Sequence, residues 1–168
     1  MNRLSDLLTV NIPLYDITIP STNTKTKFRP FLVKEEKILL LAQNGNDNNE
    51  MLKAIQRIIE CCVEGVENVS SMPLFDVEYL FLKIRSKSVG ELVEPKIKCS
   101  HTGEIIKLEI NLNEIKVKGT QTDKKIKISN DIMIKMNYPS LQTLIEQNNE
   151  IDYTNPETFY NLIVRCID

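Results

Sequence analysis

At Gly90 the spacing of apolar residues changes period, and that change divides the chain into parts that must fold by different rules. Before it, Met51, Leu52, Ile55, Ile58, Ile59, Cys62 and Val63 recur at intervals of three and four, as do Leu74, Val77, Leu80, Phe81 and Ile84. Side chains so spaced share one face of a helix. The pattern predicts amphipathic helices over residues 50–64 and from Pro73, which suits a first turn that needs no amide donor, to near Gly90. Beyond Gly90 the apolar residues alternate with polar ones: Ile97 and Cys99 with Lys96 and Lys98, Ile106 to Leu112 with Lys107, Glu109 and Asn111, Ile126 and Ile128 with Lys125 and Lys127, Ile132 to Met136 with Met133 and Lys135. Alternation at period two predicts a half-buried antiparallel sheet with one wet face. Its turns are expected at Ser100-His101-Thr102-Gly103, over residues 119–123 and at Ser129-Asn130-Asp131.

The flanks follow the same reasoning. Tyr15 to Ile19 and Lys25 to Phe31 read as strands of a hairpin joined by Pro20-Ser21-Thr22-Asn23-Thr24, residues that fix φ or bond to nearby backbone. Pro30 removes a ladder donor, so the second strand should end there or lie at an edge. Val33 to Gln43 is a helix with Glu35 and Glu36 in its first turn, where the macrodipole favours anions. Ile38, Leu39, Leu40 and Leu41 point in nearly every direction around its axis, which predicts enclosure on more than one side. Residues 44–49 form a loop, and Leu4, Leu7 and Leu8 suit one apolar helical turn. Pro139 to Gln147 is a short helix. Asn155-Pro156 caps a last one, whose stripe of Phe159, Leu162, Ile163, Cys166 and Ile167 is expected to dock on its own domain. The fold class is α+β: an N-terminal hairpin and three helices over residues 1–91, an antiparallel β lobe over 92–137, and two C-terminal helices over 138–168 packed on the same domain.

Composition narrows the function classes. With 42% hydrophobic and 26% charged residues among 168, the chain is not disordered throughout. The longest apolar run, Ile38 to Ala42, falls far short of the roughly 20 residues that span a bilayer. The start, MNRLSDLLTVNIPLYD, has no apolar core before a small-residue cleavage site, so neither export nor membrane attachment is expected. Cys61, Cys62, Cys99 and Cys166 do not form a disulfide framework; they read as reduced thiols of a cytoplasmic protein, three of them in the core. Residues 95–137 carry nine lysines and five acids, residues 138–168 one arginine and five acids. The lysines alternate with apolar residues and have almost no Arg or aromatic residue among them, which describes a solvated sheet face better than a nucleic-acid site.

Catalytic chemistry has no visible home. His101 is the single histidine, and no nucleophile motif surrounds it. No phosphate-binding glycine loop, HExxH or EF-hand loop is present, so neither a cofactor nor a small-molecule substrate is expected. Cys99 and His101 are zinc-ligand types in a β turn, yet a structural site takes four ligands and the other cysteines lie in distant helices. They are weak metal candidates. The alternative function they support is a small zinc-ribbon-like nucleic-acid-binding factor that also uses the lysines of residues 96–127. Asp76, Glu78, Arg85 and Lys87 lie off the apolar stripe of the third helix and suit contact with a partner better than chemistry.

Two segments carry a specific resemblance. KFRPFLVKEEK at residues 27–37 and FDVEYLFLKIRSKSVGE at residues 75–91 resemble the signature segments of the baseplate hub protein family of T-even-type, contractile-tailed bacteriophages. Ile19-Pro20-Ser21-Thr22 and Asn137-Tyr138-Pro139-Ser140 follow that family's order, and the resemblance extends over about residues 10–168. It implies a non-enzymatic role in virion assembly, as a hub subunit or a hub assembly chaperone, with other baseplate hub or tail proteins as partners. It places the protein in the host cytoplasm during assembly and, for a retained subunit, in the tail baseplate. Both segments hold more charged and backbone-restricting residues than packing requires. Phe28, Arg29, Pro30 and Phe31 are therefore expected to join the polar side of the second segment, Asp76, Glu78, Arg85 and Lys87, in one partner-binding patch.

Overall fold

The computed structural model describes residues 12–45, 47–119, 125–146 and 155–167. The apolar turn at Leu4, Leu7 and Leu8 and the turn over 120–123 lie outside the described residues, as does Gln147. Within them the chain is an α+β protein built from short antiparallel strands and five α-helices.

The hairpin forms as its turn residues predict. Strands β1 (Tyr15–Thr18) and β2 (Lys25–Phe28) pair antiparallel, Tyr15 opposite Phe28 and Thr18 opposite Lys25. The second strand stops at Phe28, before Pro30 would interrupt its ladder. Its outer edge is closed by the chain after the second helix, since Glu64 N donates to Lys27 O at 2.9 Å and Arg29 N to Cys62 O at 2.9 Å.

Helices α1 (Val33–Asn44), α2 (Asn48–Cys62) and α3 (Leu74–Ser88) follow. Asp47 caps α2 by accepting from Asn49 N at 2.8 Å, and a 3-10 turn (Val69–Ser71) leads to Pro73 at the head of α3. At the far end of α3, Gly90 takes φ +146, a value open to glycine alone. The core lies among the hairpin, α2 and α3: Ile17 and Phe28, Ile58 and Ile59, Val77, Leu80 and Ile84, joined by Leu141. Phe81 and Leu74 are only partly buried at its margin.

The first helix departs from expectation. Only Glu35 and Ala42 of α1 are buried; Val33 is 80% and Leu41 61% exposed, and Leu40 is exposed with them. The helix rests on α2 through one face, and no other described element arrives to cover the side that carries Val33, Leu40 and Leu41.

The β lobe departs further. In place of one sheet with a buried face, the chain forms separate two-stranded ribbons. Strands β3 (Leu92–Val93) and β4 (Lys96–Lys98) run against β5 (Ile105–Lys107) and β6 (Ile110–Asn111), with Leu92 opposite Asn111 and Lys96 opposite Lys107. Both pairings share one register, and Leu108 N donates to Pro95 O at 3.1 Å between them. They are one long hairpin whose ladder is broken where Pro95 has no N–H to give. Its tip is the expected turn, closed by Gly103 N on Cys99 O at 2.9 Å with Gly103 at φ +73. Strands β7 (Lys125–Lys127) and β8 (Met133–Lys135) form a second hairpin around Ser129, Asn130 and Asp131. Among the described residues no layer covers either ribbon on the apolar side: Ile97 is 50% and Ile128 60% exposed, with Ile106, Ile126 and Ile132 exposed as well, and on the opposite face Ile105 and Met133 are exposed beside the lysines.

The C-terminal part is tied in at two places. Leu74 N donates to Pro139 O at 3.0 Å and Leu141 N to Met72 O at 3.3 Å, which brings α4 (Leu141–Glu146) against the core with Leu141 fully buried. Helix α5 (Pro156–Arg165) is capped by Asn155, whose side chain accepts from Glu157 N at 3.0 Å. It joins its own chain through Asn137 N on Cys166 O, a bridge of Met136 with Ile167, and an ion pair of Arg165 with Glu146. Its stripe is split, however: Leu162 and Cys166 are buried while Phe159, Ile163 and Ile167 stay exposed. The four cysteines are free thiols, and two of them rather than three are core, since Cys61 is exposed and Cys99 half-buried.

Candidate functional site

The first signature segment is shaped by a buried carboxylate. Glu35, 2% exposed, accepts from Leu32 N at 2.7 Å and from Arg29 Nη2 at 3.1 Å, with Lys34 Nζ at 3.4 Å. Burial alone would raise its pKa, but the Arg29 guanidinium, the Leu32 amide and Lys34 outweigh that and hold it below the usual carboxylate range. Arg29 also donates through Nη1 to Pro30 O at 3.0 Å. The sequence KFRPFLVKEEK is thus a clamp in which Glu35 both starts α1 and fixes the turn from Arg29 to Leu32. Phe28 is buried at 3% exposure, and Pro30 and Phe31 are half-buried.

The second signature segment shares the core with the first and is hydrogen-bonded to it where Phe31 N donates to Ser88 Oγ at 3.0 Å. The four charged residues of α3 do not form a single patch. Asp76, placed off the apolar stripe by its sequence position, is fully buried and accepts from Ser21 N at 3.0 Å, because the hairpin turn folds over it. Burial raises its pKa against the opposing bonds from Ser21, and its Oδ2 has no hydrogen-bond partner. Lys87, three turns along the same side, lies 5.4 Å from the Tyr15 ring centroid and pairs with Glu91. Helical spacing sets Glu78 and Arg85 on the opposite side, with Glu78 exposed and Arg85 half-buried.

Between the hairpin and α3 lies a cleft of about 750 Å³. All four residues of β1 line it, together with Tyr79, Lys83, Ser86 and Lys87 of α3 and with Lys25, Phe28 and Asn113. Lys83 is held there by three carbonyls: its Nζ donates to Leu112 O at 3.0 Å, Asn113 O at 2.9 Å and Ile115 O at 3.1 Å. Those bonds, with buried Leu112, moor the long hairpin to α3. Burial and then the nearby Lys87 and Lys116 lower the Lys83 pKa. Lys83 belongs to no apolar stripe of α3, and the arrival of residues 112–115 makes it a mooring point.

The Cys99 thiol sits in the hairpin tip, where bonds from Thr102 and the His101 amide lower its pKa. Among the described residues no group of three or more His, Cys, Asp or Glu side chains converges to hold a metal. No described helix is long and apolar enough to cross a membrane.

A small α+β body with a pair of hairpins whose apolar side chains have no covering layer among the described residues is the kind of structural protein that is completed by its neighbours in an assembly. The sequence itself says which assembly. The chain belongs to the family described as T4 bacteriophage base plate protein, whose profile matches residues 12–168. It is a phage baseplate structural protein. No curated protein and no solved structure matches the chain.

Proposed function

We propose that the protein is a non-enzymatic subunit of the baseplate hub, assembled in the host cytoplasm by binding other hub or tail proteins and retained in the tail. Membership of the baseplate family over residues 12–168 carries this reading. The uncovered hairpins support permanent contact: isolated two-stranded ribbons are marginal in water, and Ile97, Ile105, Ile106, Ile126 and Met133 gain by burial against a neighbour. Residues Arg29 to Phe31, Glu78, Arg85 and Lys87 are the partner-facing residues of the two signature segments, while Phe28 and Asp76 are buried beneath the surface.

The test is mass spectrometry of purified virions and of baseplate assembly intermediates. A retained subunit appears in both at a fixed copy number. Presence in intermediates with absence from virions would instead make the protein a hub assembly chaperone. Absence from both would remove the hub reading.

A further inference from the structure

We propose that the cleft between β1 and α3 receives an extended, acidic segment of a partner baseplate protein, which adds to the free edge of β1 as a third strand; this deepens the hub reading and rests on it.

The hydrogen-bond phase of the hairpin shows which groups are free. Residues of an antiparallel pair alternate between bonding their partner and turning N–H and C=O away from it. Ile19 N donates to Thr24 O at 2.9 Å, one step beyond the ladder, and the outward groups of β2 at Lys27 and Arg29 bond the chain at Glu64 and Cys62. Tyr15 and Ile17 therefore bond β2, while Asp16 and Thr18 direct their N–H and C=O outward. Among the described residues β1 has no strand neighbour except β2. All four β1 residues line the cleft, Asp16 and Thr18 among them, which sets the cleft beside this strand. A polypeptide backbone matches that row of alternating donors and acceptors; a nucleic-acid backbone offers no donors in such a row.

Charge selects the segment. Lys25, Lys83 and Lys87 line the cleft with one lining carboxylate, Asp16, and Lys87 is paired with Glu91, so Lys25 and Lys83 leave the cleft positive. Lys83 is held by neutral carbonyls alone, so its charge is solvated without being neutralised. Tyr15 and Tyr79 add ring faces beside Lys87 and Lys83, suited to the apolar alternate positions of a strand.

The experiment titrates isotope-labelled full-length protein with a seven-residue peptide of alternating valine and glutamate, and with its valine–lysine counterpart, following backbone amide shifts. The acidic peptide should shift the Asp16 and Thr18 amides most and bind more weakly as salt rises, while the basic one leaves them unmoved. Asp16→Pro removes an outward N–H without touching the β1–β2 ladder. It also deletes the one acidic group of the cleft, so charge alone would tighten acidic peptides. Weakening by about tenfold isolates the lost backbone bond. Lys25→Glu, at an exposed position, should weaken binding by about threefold or more and serves if the proline variant does not fold. Equal binding of both peptides, or unchanged affinity in the variants, overturns the proposal. A dimer in sedimentation that Asp16→Pro converts to monomer assigns the edge to a second copy and overturns the acidic segment. Fixed copy number in virions with a negative titration removes this site and leaves the hub reading standing.

Discussion

Glu35→Ala tests whether the first signature segment is a structural clamp. The substitution leaves Leu32 N without its 2.7 Å acceptor and Arg29 Nη2 without its carboxylate, while Arg29, its side chain 17% exposed, cannot fully turn to water. An orphaned buried donor costs about 1–3 kcal/mol, and removing one partner of a buried ion pair about 3–5 kcal/mol. The partial exposure of Arg29 lowers the second figure, so the net loss should be about 3 kcal/mol. In a chain of this length that lowers Tm by roughly 6–12 °C. Urea unfolding followed by far-UV circular dichroism measures it directly. Glu35→Gln keeps an acceptor for Leu32 N and should lose about half as much. The pH dependence has a defined sign: burial raises the Glu35 pKa but Arg29 and its other partners bring it below the ordinary value. Its contribution is complete above the unfolded carboxylate value of about 4.3 and is lost as pH falls through the lower folded value. The gap between wild type and Glu35→Gln should therefore close in acid. A Glu35→Ala protein within about 0.5 kcal/mol of wild type at neutral pH refutes the clamp.

Asp76 titrates in the opposite sense. Its folded pKa is raised by burial, so its contribution is complete below the unfolded value and lost as pH rises through the folded one; Asp76→Asn should match or exceed wild-type stability at neutral pH in thermal melts and lose that advantage in acid. Burial pushes the Cys62 thiol up to about 11, so iodoacetamide at about pH 8 should label Cys61 and Cys99 in the folded protein and reach Cys62 and Cys166 only after unfolding, as read by peptide mass spectrometry. Phe159→Asp with Ile163→Asp alters the exposed half of the α5 stripe, while Leu162 and Cys166 keep the helix docked. The double variant should unfold within about 0.5 kcal/mol of wild type and fail to enter baseplates; loss of cooperative unfolding would return that half-stripe to the core.

Local order was written in the sequence because a single period decides it. Intervals of three and four placed Ile58, Ile59, Leu80 and Ile84 on inward helix faces, and turn chemistry placed both the first hairpin and the tip at Gly103. Two motifs of 11 and 17 residues were enough to point to the baseplate family. Coverage was not written there, because covering a face depends on which distant segment arrives. Four consecutive apolar residues in α1 look enclosed from any local view, yet one neighbour leaves Val33, Leu40 and Leu41 in water. Alternation at period two fixed the pleat of strands β3 to β8 but not the layer that would bury their apolar side, and none is formed by the described residues. The same long-range packing buried Asp76 under the hairpin turn, made Lys83 a mooring for the long hairpin, and set the open edge of β1 against α3. A side chain's direction follows from neighbours within one turn or one pleat; its environment follows from contacts across dozens of residues, which only the folded chain brings together.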